Sequence, residues 1–99
     1  MPVTVLALTT LHPQEESALQ TYLDVVGPLM EAAGARLISR HAVSRVIAGG
    51  PAAQFVSLVE FPTDAAVKQV FEHPSYLALD PVKAKAFSQY QVSILAPLA

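Results

Sequence analysis

The residues able to do chemistry in this chain are few and unevenly spread. All three arginines, Arg36, Arg40 and Arg45, fall in one short stretch that also carries His41. Guanidinium groups that converge would hold a carboxylate or an enolate-like anion through their planar donor fork. On an edge strand the same charges would instead deter unwanted pairing, or line a seam with a partner. By strict alternation Arg36 and Arg40 share one face and His41 and Arg45 the other. At most two of the four then converge, unless a bulge intervenes. Glu60 is the only acid in the strand-like segments. It is either a general base in a partly buried pocket or the ion-pair partner of a nearby arginine. His73 stands close to Tyr76, and such a pair can move protons around a carbonyl. With Tyr22 the two would line a cleft between helices and sheet. The plainer reading of His73 is a cation at a helix end, favoured by the dipole.

Other candidates are weaker. His12 precedes Pro13 and reads as a loop residue. The histidines form no close pair and the chain has no cysteine, so no metal site is expected. A Pro2 freed by loss of Met1 would offer a secondary amine as a base, but the chain lacks the short β-α-β repeat of tautomerases. No glycine-rich nucleotide loop or serine elbow is present, so no cofactor is expected.

Composition narrows the classes further. The chain has 99 residues, of which 53% are hydrophobic and only 14% charged. Ordinary domains carry about 25% charge. One domain spanning 1–99 is expected, folding to roughly 5,400 Å² of accessible surface. A net charge of −2 gives no electrostatic footprint for nucleic acid. No apolar run is long enough to span a membrane, and no basic leader precedes the first apolar stretch. A cytoplasmic protein is the expectation, and the absence of cysteine is compatible with it.

These residues need elements to hold them. Residues 2–11 are β-branched and apolar on both parities, as in a strand buried on two faces. Apolar residues at helical spacing predict a helix over 13–33, with Pro13 in its first turn, a kink or split at Gly27-Pro28, and a stop at Gly34. Residues 35–48 predict a long, bent or bulged strand. A turn at Gly49-Gly50-Pro51 leads to a third strand over 54–61. Thr63 or Asp64 caps a second helix that His73-Pro74 closes. Short helical turns follow over 75–79 and from Asp80-Pro81 to Ala86, and residues 88–95 give the last strand. The order β-α-β-β-α-β is the split, ferredoxin-like pattern, with four antiparallel strands and both main helices on one face. Yet Thr4, Leu6 and Leu8 oppose Val3, Val5 and Ala7, and Val56 and Leu58 oppose Phe55, Val59 and Phe61. A sheet apolar on both faces predicts a homodimer in which two sheets meet.

The run Val59-Glu60-Phe61-Pro62-Thr63-Asp64, followed by Phe71-Glu72-His73-Pro74-Ser75-Tyr76-Leu77-Ala78-Leu79, resembles the DUF1330 family. Gly34-Ala35-Arg36-Leu37-Ile38-Ser39-Arg40 resembles another of its stretches, and Tyr22 and Pro28 fall where it tends to have a Tyr and a Pro. Two departures each introduce a histidine, at Arg40-His41-Ala42 and at Glu72-His73-Pro74. The resemblance implies a dimeric α+β barrel with a pocket, in a superfamily that includes cofactor-independent monooxygenases. Those commonly use asparagine and tryptophan, and this chain has neither.

The expectation is therefore a small-molecule-binding domain, with proton transfer or oxygenation of a small aromatic or polyketide-like compound as its activity. His73, Glu60 and Tyr76 are the catalytic candidates, and Tyr22, Arg40, His41 and Tyr76 the ligand contacts. The competing expectation is a non-catalytic homo-oligomeric module whose charges serve an interface.

Overall fold

The first strand, β1 (Val3–Leu11), is the centre of the sheet because it is apolar on both sides and pairs on both edges. It lies antiparallel to β3 (Phe55–Phe61) and to β4 (Phe87–Leu95), and β2 (Arg36–Ala42) completes the order β2-β3-β1-β4. Between the strands run α1 (Glu16–Ala32), α2 (Asp64–Phe71), α3 (Pro74–Leu77) and α4 (Asp80–Ala86). This is the ferredoxin-like arrangement expected from the order of elements. The computed structural model describes residues 1–98.

Directly opposed residues in an antiparallel ladder share a face. The register therefore sorts Val3, Val5, Ala7, Val59, Phe61, Tyr90, Val92 and Ile94 onto one side of the sheet. The main core lies there. Val5, Val59 and Phe61 pack with Ala66, Val67 and Val70 of α2, and Phe61 and Val70 have no exposed surface. Val26 of α1, Tyr76 and Leu79 form a second cluster, and Ala18, Ala86 and Phe87 a third. The opposite face carries Thr4, Leu6, Leu8, Val56 and Leu58 with no helix over it. It accounts for part of a large surface. The chain exposes 6694 Å², about 1,300 Å² more than the roughly 5,400 Å² that a protein of this mass should show.

Local chemistry fixes the element ends. Thr63 caps α2 by accepting the Ala66 N–H at 3.1 Å. Gly34 ends α1 at φ +75°, with Gly34 N–H on the Glu31 carbonyl and Ala35 N–H on the Met30 carbonyl. Pro28 sits inside an unbroken α1, so the expected split at Gly27-Pro28 does not occur. Both residues are exposed, as is Asp24, whose carbonyl loses its partner to the proline and can turn to water. Pro13 does not open α1 either. It enters a turn with Gln14 at φ +63°, and the helix starts at Glu16.

The largest departure is in β2. The strand ends at Ala42 rather than running to residue 48. One further bond, Val43 N–H to the Gln54 carbonyl at 2.9 Å, closes the hairpin. The residues that would have to pair with 44–48 include Gly49, Gly50 and Pro51, which cannot continue a ladder. Residues 43–52 are exposed throughout. A register shift lies between Leu37 and Ser39, so Ile38 is an extra residue.

Candidate functional site

All three tyrosines of the chain meet in one place. Tyr22 comes from the middle of α1, Tyr76 from α3 and Tyr90 from the inner face of β4. The Tyr90 hydroxyl is central, 2.8 Å from that of Tyr22 and 2.7 Å from that of Tyr76. Lys83 of α4 donates its ammonium to the Tyr76 hydroxyl at 3.1 Å. The same ammonium lies over the rings of Tyr76 and Tyr90, 4.5 and 4.8 Å from their centroids, a cation–π arrangement. Asp80 stands 3.5 Å from it on the solvent side. Phenyl rings wall the cluster. Phe87 meets Tyr22 edge-on at 5.0 Å, and Phe71 meets Tyr76 edge-on at 5.1 Å.

Burial pushes the Tyr22 phenol from its ordinary 10.0 up to about 12, against a lowering by its hydrogen bond to Tyr90. Burial also pushes the Tyr90 phenol upward, reinforced by the neighbouring Tyr22 and Tyr76 phenols. Both therefore remain hydrogen-bond donors at any physiological pH.

A register shift in the β1–β4 ladder builds this cluster. Leu11 opposes Phe87, yet Thr10 opposes Gln89, so Ser88 is an extra residue. Phe87 and Tyr90 are three positions apart and would point to opposite faces of a regular strand. The bulge turns both toward the helices, with ring centroids 5.1 Å apart. Beside the cluster a cavity of about 330 Å³ opens between sheet and helices. Val5, Val92 and Ile94 line it from the sheet, Val67 and Phe71 from α2, and Tyr76 and Tyr90 complete the lining.

The sequence candidates divide accordingly. Tyr22 and Tyr76 are brought together, but through Tyr90, which sequence reasoning passed over along with Lys83. The available signal was that the chain has only three tyrosines and that Tyr90 begins an alternating apolar run, Tyr90-Val92-Ile94. His73 does not join them. It caps α3, with its Nδ1 accepting the Ser75 N–H at 3.0 Å. It lines a separate depression with Leu29, Lys68 and Glu72. His73 thus begins α3 rather than serving as a cation at the end of α2. Glu60 lies on the helix-free face and accepts from Arg36 at 3.0 Å, directly opposite it in the ladder. Their side chains are 35% and 66% exposed, so the pair is a surface contact. The bulge at Ile38 places Arg36 opposite Glu60 and Arg40 opposite Ser57, on different faces. The shared face expected for Arg36 and Arg40 is thereby lost. His41, opposite Val56, joins Arg36 on the helix-free face instead. Arg40, His41 and Arg45 are exposed and do not line the cavity. Among the described residues no three potential metal ligands cluster, and no helix is long and apolar enough to cross a membrane.

A family model described as "Domain of unknown function (DUF1330)" matches residues 4–96. No curated protein shows significant sequence similarity. Solved structures share the fold. A protein of unknown function from Rhodopseudomonas palustris is similar at a TM-score of 0.80 and 21% identity, over 99% of this chain and 83% of that one. A dimeric protein of ferredoxin-like fold from Bacteroides fragilis gives 0.58 and 15%, over 95% and 94%. A dabb family protein with a ferredoxin-like fold from Mesorhizobium loti gives 0.62 and 18%, over 99% and 98%.

Proposed function

The chain belongs to the DUF1330 family, and from that premise we propose that it binds a small, largely apolar molecule in the cavity beside the tyrosine cluster. The observation that carries this reading is the contrast within one cavity. Five apolar side chains line a space of about 330 Å³ together with Tyr76 and Tyr90, whose hydroxyls are hydrogen-bonded to each other. Ligand sites have this composition, an apolar wall with a few fixed polar groups that set orientation. Among the catalytic candidates, Tyr76 is the one whose side chain lines this space. Any chemistry there is proton transfer on a bound small aromatic or polyketide-like compound, with Tyr76 as the proton donor, or its oxygenation with dioxygen as the oxidant. Soaking crystals with small aromatic acids tests the reading. Density beside Tyr76 is expected, and density confined to the outer surface in repeated soaks overturns it.

A second reading, a homodimer through the helix-free sheet face, complements the first. Leu6, Leu8, Val56 and Leu58 form a contiguous, half-buried apolar patch there with no helix over it. The Bacteroides fragilis relative of the same fold is dimeric. Two such sheets face to face would make the dimeric α+β barrel. If the cavity binds nothing, this assembly is what remains of the function, as a non-catalytic module.

A further inference from the structure

The tyrosine cluster carries one more hydroxyl proton than its internal bonds use, and Lys83 gives it a charge. Lysine can only donate, and it donates to the Tyr76 oxygen. Three phenols carry three hydroxyl protons, and two of these are used in the Tyr22–Tyr90 and Tyr90–Tyr76 bonds. One proton is left over. When Tyr22 donates to Tyr90 and Tyr90 to Tyr76, the Tyr76 oxygen accepts from both Tyr90 and Lys83. Its own proton is then unspent within the cluster, and Tyr76 is one of the residues lining the cavity. No carboxylate lines that cavity to compete for it.

The charges around the group are easily named. Tyr22 of α1 and Tyr90 of β4 hold their protons because burial disfavours their anions. α2 contributes only apolar side chains, Val67 and Phe71, to the cavity. On α4, Asp80 is 3.5 Å from the Lys83 ammonium, but its side chain is 79% exposed where that of Lys83 is 19% exposed. Water screens the aspartate more than the lysine, so the charge felt from inside the cavity is positive.

Resting on the cavity reading above, we propose that Lys83 is a specificity-determining positioning residue, which acts through Tyr76 to make the cavity prefer an apolar ring bearing an ionisable oxygen, a phenol, enol or carboxylate, over its neutral isostere. The lysine does not touch the ligand. It polarises the hydroxyl that does, and a positive charge within a few ångströms favours an anion at the far side of that hydrogen bond.

The test uses 4-nitrophenol, whose absorbance distinguishes phenol from phenolate, and nitrobenzene, which lacks the oxygen. The intact chain should bind the phenol about tenfold more tightly than nitrobenzene at neutral pH. Bound nitrophenol should ionise about one pH unit lower than in Lys83→Met, while Lys83→Arg should keep the lower value. Nitrobenzene affinity should be the same in all three proteins. Equal binding of the two ligands by the intact chain overturns the proposal and leaves the cavity reading standing. An unshifted nitrophenol titration in Lys83→Met also overturns it. Failure of both ligands to bind the intact chain overturns the cavity reading itself. If Lys83→Met does not fold, Lys83→Gln, which keeps a hydrogen-bond donor without the charge, takes its place in the same titration, and an unshifted nitrophenol value there overturns the proposal.

Discussion

Raising the pH is a perturbation that reads the cluster directly, because every tyrosine of the chain belongs to it and there is no tryptophan. The near-ultraviolet phenolate band therefore reports this site and nothing else. Tyr22 ionises at about 12 in the folded chain, against an ordinary 10.0 when the chain is unfolded. At pH 11 that phenol would be about nine-tenths ionised unfolded and about one-tenth ionised folded. A raised value means that the folded state holds the proton more tightly. The resulting stability, about 2–3 kcal/mol from Tyr22, is complete below pH 10 and is lost as pH rises through about 12. Tyr90 moves in the same direction and adds to the loss. The assay is an alkaline titration followed in parallel by phenolate absorbance and far-ultraviolet circular dichroism. While the dichroism stays native, no more than one of the three phenols should ionise. The remaining amplitude should appear together with unfolding as the pH approaches 12. Two or three phenols titrating near pH 10 in a chain with native dichroism would falsify the buried, hydrogen-bonded cluster.

Three substitutions probe the rest. Tyr90→Phe removes the hydroxyl that serves both neighbours, so it should cost about 2 kcal/mol in urea denaturation against about 1 for Tyr22→Phe, and equal costs would show that Tyr90 is not the hub. Leu6→Lys puts a charge on the helix-free face and should shift the mass measured by light scattering from dimer toward monomer; an unchanged mass means that the face is not the interface. Gly34→Ala forces a side chain into φ +75° with its Cβ 3.4 Å from Pro62 Cγ, and a loss of about 1–2 kcal/mol is expected, whereas an unchanged urea midpoint would mean that the α1 stop is not strained.

Much of the fold was legible because the local signals agreed with one another. The Thr63 cap (one of the two residues offered for it), the Gly34 stop, the proline in the first turn of α4 and the apolar character of both parities of β1 each act within a few residues and stand in the structure, whereas Pro74, read as closing α2, opens α3. Of the kink or split expected at Gly27-Pro28, the split fails because a surface proline leaves its orphan carbonyl to water, so the helix need not break. The long second strand misled because strand propensity says nothing about whether a partner strand exists. At the site, Tyr76 and Tyr22 were identified, but their junction through Tyr90 and Lys83 was not. Those four residues come from four separate elements, and no local rule brings them together.

The order of elements, the two apolar faces of the sheet and the scarcity of charged groups all follow from the residues and their spacing. Parity set Leu6 with Leu8 and Val56 with Leu58, and the strand register and the packing of α2 showed that this is the face without helices. Which chemical residues meet depends on the folded chain. Two single-residue bulges made that decision. The extra residue at Ile38 sends Arg36 and Arg40 to opposite faces, which dissolves the arginine cluster. The one at Ser88 turns Phe87 and Tyr90 to the same face, which creates the tyrosine cluster. Side-chain direction in a strand alternates with a period of two, so one unpaired residue inverts everything beyond it. Whether such a residue is accommodated depends on how the neighbouring strand and the helices pack, and that is settled only when the whole chain is folded.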